Sequence, residues 1–260
     1  MNDREQEALS ALLASKKYGG ICEDSVRRIF GEELSKHKKL KDADKSARAR
    51  LHQITGAFMT PDQLKSAGKC LEAYLSGDQS ALTNALKLHS STAERLDHID
   101  ALYAQVFQVT GKPNLILDLA CGLNPLYLGA IGIAVRGYDI SGDQVALVNR
   151  WAASCGWDVH AETADLSEDA PLPAADLTLM MKLLPVLEQQ KKGSGMALLS
   201  RAPSPRQLTT FPTRTLSGRG VGMEGNYTRW FEGNLPDTHQ IIDRFVIAHE
   251  LCYITEVTHA

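Results

Sequence analysis

The stretch Leu115 to Pro125 constrains this chain more than any other. Leu115-Ile116-Leu117-Asp118-Leu119 is an apolar run of strand length, interrupted only by Asp118, and Ala120-Cys121-Gly122 is a turn of small residues. Short apolar runs bounded by turn signals read as buried strands, and a helix can start from Leu126 onward. Strand, glycine turn and helix are the parts of a nucleotide-type cofactor site. Gly122 lets backbone approach a ligand closely, and strand ends at the reversal of a doubly wound sheet form the binding crevice. A dinucleotide fingerprint needs three glycines. Here only Gly122 stands in the turn, with Ala120 two before it and Asn124 two after it, so a cofactor without phosphates is expected.

The rest of the chain supports an α/β reading. Ala134 to Tyr138 is a strand candidate ending at Asp139, Ser141 to Ser154 reads as a helix, and Val159 to Glu162 is a short strand with Asp165 just beyond. Leu177 to Met181 is another strand ending at Lys182, Met196 to Leu199 lies in a helical stretch, and Gln207 to Phe211 precedes Pro212. This alternation implies a parallel sheet with helices on both faces. Two last strands, about Gln240 to Ile247 and Glu250 to Val257, are close enough to pair as an antiparallel edge.

Before the central strand the chain reads as helical, from about Glu5 to Leu88. Leu9, Leu12 and Leu13 have helical spacing, as do Val26, Ile29 and Phe30, with Gly19-Gly20 between the two sets. Thr60-Pro61-Asp62-Gln63 is a capping box with proline at the first helical position, and Gly77 is expected to end that helix. Ser91-Thr92-Ala93-Glu94 reads as a second capping box, opening a helix with apolar face Leu96, Ile99, Leu102, Tyr103 and Val106. Arg95 then falls in a first turn, where the helix dipole disfavours a cation; it serves a ligand carboxylate or is an ordinary surface arginine.

Charge divides the chain. Up to Cys70 there are 14 lysines and arginines against 10 acidic residues, and beyond it 14 against 21. Lys36, Lys38, Lys39, Lys41, Lys45, Arg48 and Arg50 are concentrated between Ser35 and Arg50. They form either a solvated helix face or a row of phosphate contacts along an RNA groove, where released counterions add affinity. The polar, acidic N-terminus fits neither a signal nor a transit peptide, and no run approaches the roughly 20 apolar residues of a membrane span. The five cysteines are scattered and never in a C-x-x-C pair. They read as reduced thiols of a cytoplasmic protein without a metal site.

Asp139 follows Asp118 by 21 residues, at the end of the second strand. There doubly wound folds place a carboxylate on the ribose hydroxyls. Asp165, after the third strand, can accept from an adenine amino group. Each alone is also readable as a loop aspartate. With the turn at Ala120 and Gly122 they describe a pocket for adenosine with a short charged tail, which S-adenosyl-L-methionine matches. At the fourth strand end stands Lys182-Leu183-Leu184-Pro185-Val186-Leu187-Glu188. It lacks the Asn/Asp-Pro-Pro-aromatic motif used on exocyclic amines, and Cys121, in the cofactor turn, reads as packing. Lys182 and Glu188 hold the polar edge of a purine or are solvated charges. Pro212 to Gly222 is a glycine-rich basic loop containing Arg214 and Arg219; its arginines bind phosphate or it is a plain flexible loop.

These residues closely resemble the aminoglycoside-resistance methyltransferases that modify a guanine N7 in the decoding site of 16S ribosomal RNA. The likeness runs over nearly the whole chain: Ala14-Ser15-Lys16-Lys17-Tyr18, Leu88-His89-Ser90-Ser91-Thr92 with Glu94-Arg95-Leu96, Leu117 to Pro125, Lys182-Leu183-Leu184-Pro185, Phe211-Pro212-Thr213-Arg214, Gly218-Arg219-Gly220, and Gly222-Met223-Glu224 with Asn226-Tyr227. The resemblance implies a Rossmann-like class I methyltransferase domain over residues 89–260, preceded by an all-helical RNA-binding region over 1–88. It points to the assembled small (30S) subunit as the acceptor, and a cytoplasmic monomer is the expected form of the chain. It assigns Arg95 to the methionine carboxylate, Asp139 to the ribose and Asp165 to the adenine. Lys182, Glu188, Arg219 and the segment Met223 to Tyr227 would fall at or near the target guanine, and Lys36, Lys38, Lys39, Lys45, Arg48, Arg50 and Arg214 on the RNA.

Guanine N7 offers a lone pair, so no proton leaves before attack and the enzyme need only align it once the base has left its stack. Lys182 would donate to guanine O6, and Glu188 would stabilise the positive charge arriving on the purine. A small-molecule methyltransferase leaves the basic helical region unexplained. A non-catalytic RNA-binding protein with a relic pocket would bind no S-adenosylmethionine, and an oxidoreductase lacks its glycines. On this division, deleting residues up to about Leu75 spares cofactor binding.

Overall fold

The computed structural model describes residues 1–55, 58–169, 171–214 and 222–258. Helix α1 (Asp3–Leu13) starts at Asn2, whose side chain accepts from Glu5 N–H while the Glu5 carboxylate accepts from Asn2 N–H. Helices α2 (Glu23–Lys36) and α3 (Leu40–Thr55) follow. The expected apolar spacing holds. Leu9, Leu12, Val26, Ile29 and Phe30 meet Ala47 and Leu51 in a small core of their own.

Helix α4 (Pro61–Leu75) begins in the expected capping box, with Thr60 and Gln63 exchanging side-chain and backbone bonds. It packs, with α5 (Ser80–Leu86), elsewhere: Ala67, Leu71, Ala85 and Leu86 belong to the core that covers one face of the sheet, alongside Val148 and Trp151. The helical stretch expected as one unit up to residue 88 therefore divides into two packing groups, because the apolar stripes of α4 and α5 face the sheet and not α1–α3.

The second expected capping box is not one. Helix α6 (Ser90–Arg95) starts after His89 with no side-chain cap, and a single 3₁₀ turn (Leu96–His98) separates it from α7 (Ile99–Thr110). Arg95 thus lies in a last turn, where the helix dipole favours a cation.

The sheet alternates as expected: β1 (Leu115–Leu119), α8 (Asn124–Ala130), β2 (Ala134–Asp139), α9 (Gly142–Cys155), β3 (Val159–Thr163), β4 (Leu177–Met181), α10 (Leu184–Gln190), α11 (Ser194–Arg201), β5 (Arg206–Pro212), α12 (Met223–Asn234), β6 (His239–Ile247) and β7 (Glu250–Val257). Its order is β3-β2-β1-β4-β5-β7-β6. Strands β1 to β5 are parallel, β7 runs antiparallel to β5, and β6 antiparallel to β7 with a register shift between Ile241 and Asp243. Alternation along β1 splits the core. Ile116 packs with α4, α5, α7 and α9, whereas Leu117 and Leu119 pack with α10, α11 and α12. Strand order reverses between β1 and β4, which opens the crevice at their C-terminal ends.

Candidate functional site

The site grows from four strand ends. After β1, Cys121 N–H extends the ladder to Tyr138 O (3.0 Å), which holds Ala120 in the left-handed region at φ +57°. An alanine there costs about 1–2 kcal/mol, an expense glycine would avoid. Gly122, at φ +50°, is a true glycine position: a Cβ would lie 2.5 Å from Cε1 of His89, whose ring packs against it. Behind the turn, Tyr103 Oη donates to Asn124 Oδ1 (2.9 Å) and Asn124 Nδ2 to Asp118 Oδ2 (2.7 Å). Burial raises the Asp118 carboxyl to about 7, against the Asn124 bond and the Arg95 charge. Asp118 serves the turn through Asn124. Cys121 packs against Gly137 as expected, where an added Cβ would lie 3.0 Å from its Sγ.

At the end of β2, Asp139 accepts Gly122 N–H on Oδ2 and Ser141 N–H on Oδ1, both at 2.9 Å. Burial raises its pKa and these backbone bonds oppose the rise. Beyond β3, Asp165 accepts Ser167 N–H (3.0 Å) and O–H (2.6 Å) on Oδ1, and Arg28 Nε (2.8 Å) on Oδ2. Burial raises the Asp165 pKa, but the bonds to Arg28 and Ser167 carry it below its ordinary value. At the end of β4, Lys182 sits at φ +57° with its N–H on Thr210. Its ammonium lies between Glu94 and Glu250, 3.2 Å from Glu250 Oε1.

Ala120, Asp139, Asp165 and Lys182 line one cavity, together with Ile140, Ser141, Leu166 and Leu183. His89, Ile54, Phe58 and Gln190 close its other side. His89 stacks on Phe58 (5.9 Å between centroids), and its Nδ1 lies 3.0 Å from Thr92 Oγ1. Burial first, then the Arg95 and Lys182 charges, lower its pKa to about 4, so the ring is neutral at physiological pH. The helical region is thus part of the wall. Ile54 and Phe58 line the cavity and Arg28 bonds one of its carboxylates, although no local pattern in the sequence marks any of the three for that place.

Two expected residues are engaged elsewhere. Arg95 is 3% exposed and does not line the cavity; its Nε donates to Glu250 Oε1 (2.9 Å) and its Nη2 to Ser91 (3.2 Å). It is not a surface arginine. Glu188 also lies off the cavity, its two oxygens accepting Gly193 N–H (2.8 Å) and Gly195 N–H (2.9 Å) at the start of α11. There the carboxylate caps orphan donors at a helix N-terminus. The acidic groups beside Lys182 are Glu94, which its sequence context marks only as part of a cap, and Glu250, which it marks only as a strand start.

The basic stretch separates into two layers. Lys38, Lys39, Lys41 and Lys45 are exposed, as is Lys36 with its ammonium on Glu33. Arg48 is held by Asp44 (2.8 Å), and Arg50 by Glu32 (2.8 Å) and Glu33 (2.7 Å). Glu33 is buried, yet Ser46, Lys36 and Arg50 overcome that burial and lower its pKa to about 2. Arg214 is exposed beyond β5, and Arg219 lies outside the described residues. Met223 and Tyr227 open α12, with the Tyr227 ring stacked on Phe211 at 5.1 Å. Much of Tyr227 is therefore spent on packing. Among the described residues no His, Cys, Asp and Glu cluster could hold a metal ion, and no helix is long and apolar enough to cross a membrane.

A parallel sheet reversing beside a tight turn, with aspartates at the ends of its next two strands, defines a Rossmann-like class I methyltransferase. The model of the ribosomal RNA methyltransferase (FmrO) family matches residues 14–254, and the chain belongs to that family. It is 46% identical over 249 residues to the 16S rRNA (guanine(1405)-N(7))-methyltransferase of Serratia marcescens, covering 95% of this chain and 96% of that one. Against the enzyme of the same name from Micromonospora echinospora it is 33% identical, covering 98% and 97%. Among solved structures, the 16S rRNA methyltransferase RmtF in complex with S-adenosyl-L-homocysteine aligns with a TM-score of 0.93 at 49% identity, covering 99% of this chain and 100% of that one. The 16S rRNA methylase RmtB aligns with a TM-score of 0.89 at 40% identity and the same coverage.

Proposed function

We propose that this enzyme transfers a methyl group from S-adenosyl-L-methionine to N7 of the guanine equivalent to position 1405 of 16S rRNA, in the decoding site of the 30S subunit, and so confers resistance to kanamycin- and gentamicin-type aminoglycosides. The observation that carries the reading is the cavity in which Asp139 and Asp165, at successive strand ends, face apolar walls at Ile140 and Leu166. Hydroxyl acceptors, an amino-group acceptor and apolar walls suit adenosine, and RmtF, at 49% identity, holds S-adenosyl-L-homocysteine. When bound, the cofactor supplies a methyl group on a sulfonium.

The protein's own residues supply position and electrostatics. Asp139, fixed by two backbone N–H groups, takes the ribose hydroxyls on its remaining lone pairs. Asp165 accepts the adenine amino group. Lys182, oriented by Glu94 and Glu250, donates to guanine O6 and so turns N7 toward the methyl. No residue need act as a base, because N7 carries no proton; alignment supplies much of the rate. The carboxylates beside Lys182 also stabilise positive charge as it arrives on the purine. Lys36, Lys38, Lys39 and Lys45 meet RNA phosphates from outside, with Arg48 and Arg50 held among acidic side chains behind them, and Arg214, Met223 and Tyr227 also contact the RNA.

Incubating unmodified 30S subunits with labelled S-adenosylmethionine, then mapping the modified nucleotide, tests this directly. Label at one guanine N7 in the decoding site is expected. Label at another base or none on RNA overturns it.

A further inference from the structure

Among the described residues that line the cavity, Asp165 is the carboxylate whose orientation is set from the N-terminal helices. The guanidinium of Arg28, on α2, crosses to it: Nε donates to Oδ2 at 2.8 Å and Nη2 to Oδ1 at 3.3 Å. The same Nη2 lies 3.2 Å from Gln190 Oε1 on α10, which also lines the cavity. Nη1 donates to Glu32 Oε1 (3.0 Å), and Glu32 is in turn held by Arg50 (2.8 Å). A backbone seam runs beside this contact. Gly142 N–H donates to Gly20 O (2.7 Å) and Cys22 N–H to Ile140 O (2.8 Å). The helical region is therefore bonded to the chain just after β2 and just after β3, on either side of the cavity.

An ionised carboxylate has about four lone-pair sites. On Asp165, Oδ1 receives Ser167 N–H, Ser167 O–H and Arg28 Nη2, whereas Oδ2 receives Arg28 Nε. The spare acceptor site is on Oδ2, and the side chain is only 6% exposed, so the fork of Arg28 determines where that site points.

We propose that Arg28 is a positioning residue for the cofactor: by gripping Asp165 from the RNA-facing helical region, it aims the free lone pair of Oδ2 at the adenine amino group. This rests on the reading of the cavity as an S-adenosylmethionine site. It makes the helical region an integral half of that site. Without the fork, Asp165 keeps only its bonds to Ser167 and can rotate Oδ2 away.

Calorimetric titration of the full-length protein with S-adenosylhomocysteine and with S-inosylhomocysteine, which lacks the exocyclic amino group, tests the proposal. For Arg28→Ala, S-adenosylhomocysteine affinity falls about tenfold, the scale of one hydrogen bond to a charged group, while S-inosylhomocysteine affinity changes less than about twofold. Arg28→Lys, which restores the charge but not the fork, recovers part of the loss and stands in if the alanine variant fails to fold. Unchanged S-adenosylhomocysteine affinity in both variants overturns the proposal. So does an equal loss for both ligands, which marks a general collapse of the wall. A wild-type protein that binds neither ligand sinks the cofactor reading itself, and the inference with it.

Discussion

Replacing Glu250 by glutamine removes one charge from the most deeply buried ion-pair cluster beside the site. The Glu250 carboxylate is 1% exposed and accepts from Arg95 Nε (2.9 Å), Thr210 Oγ1 (2.7 Å) and Lys182 Nζ (3.2 Å). Arg95 is 3% exposed, so Glu250→Gln leaves a buried guanidinium without its counter-charge. Breaking a buried pair by removing one partner costs about 3–5 kcal/mol. The neutral amide oxygen still accepts a hydrogen bond, which places the expected loss at about 3 kcal/mol. At about 2–4 °C per kcal/mol for a chain of this size, Tm falls by about 6–12 °C.

The pH dependence carries a sign. Burial raises the Glu250 pKa, but Arg95, Lys182 and Thr210 bring it below its ordinary 4.5. A group with a depressed folded pKa contributes stability above its unfolded pKa and loses it as pH falls through the folded value. The gap between wild type and Glu250→Gln is therefore full at pH 7 and closes at pH below the depressed value. Denaturant melts at several pH values measure it. A loss under about 1 kcal/mol at pH 7, or an equal gap at every pH, refutes the account.

Three further outcomes are expected. Gly122→Ala places a Cβ 2.5 Å from the His89 ring at φ +50°, so chemical denaturation shows a loss above about 1–2 kcal/mol, and His89→Ala in the same chain relieves only the clash. Asp139→Ala removes the acceptor that fixes Gly122 and Ser141 N–H; calorimetry shows S-adenosylhomocysteine binding weakened at least about a hundredfold. Charge reversal at Lys38, Lys39 and Lys45 weakens binding to 30S subunits, and the slope of log affinity against log salt falls by about 0.7–0.9 per lost phosphate contact.

The parts legible in the sequence are those governed by neighbours in the chain. The β1 turn, the Thr60 cap, the strands and the spacing from Asp118 to Asp139 depend on propensities and periodicities within a few residues or one βαβ unit. The Ser91 box misled for the same reason. Its residues suit a cap, but His89, packed against Gly122 and stacked on Phe58, takes the position before the helix. Glu188 carries no signal that its oxygens turn back onto Gly193 and Gly195.

By itself the sequence determined the α/β class, the crevice after β1, the carboxylates at the next two strand ends, and a family resemblance strong enough to point to ribosomal RNA. Only the tertiary structure decided the partners of the charges. Arg95 meets Glu250 across 155 residues and Arg28 meets Asp165 across 137. Pairings that distant depend on strand order and on which face of the sheet each helix covers. The basic helices therefore close the pocket because packing sets them there, a consequence of the assembled core that no window of residues contains.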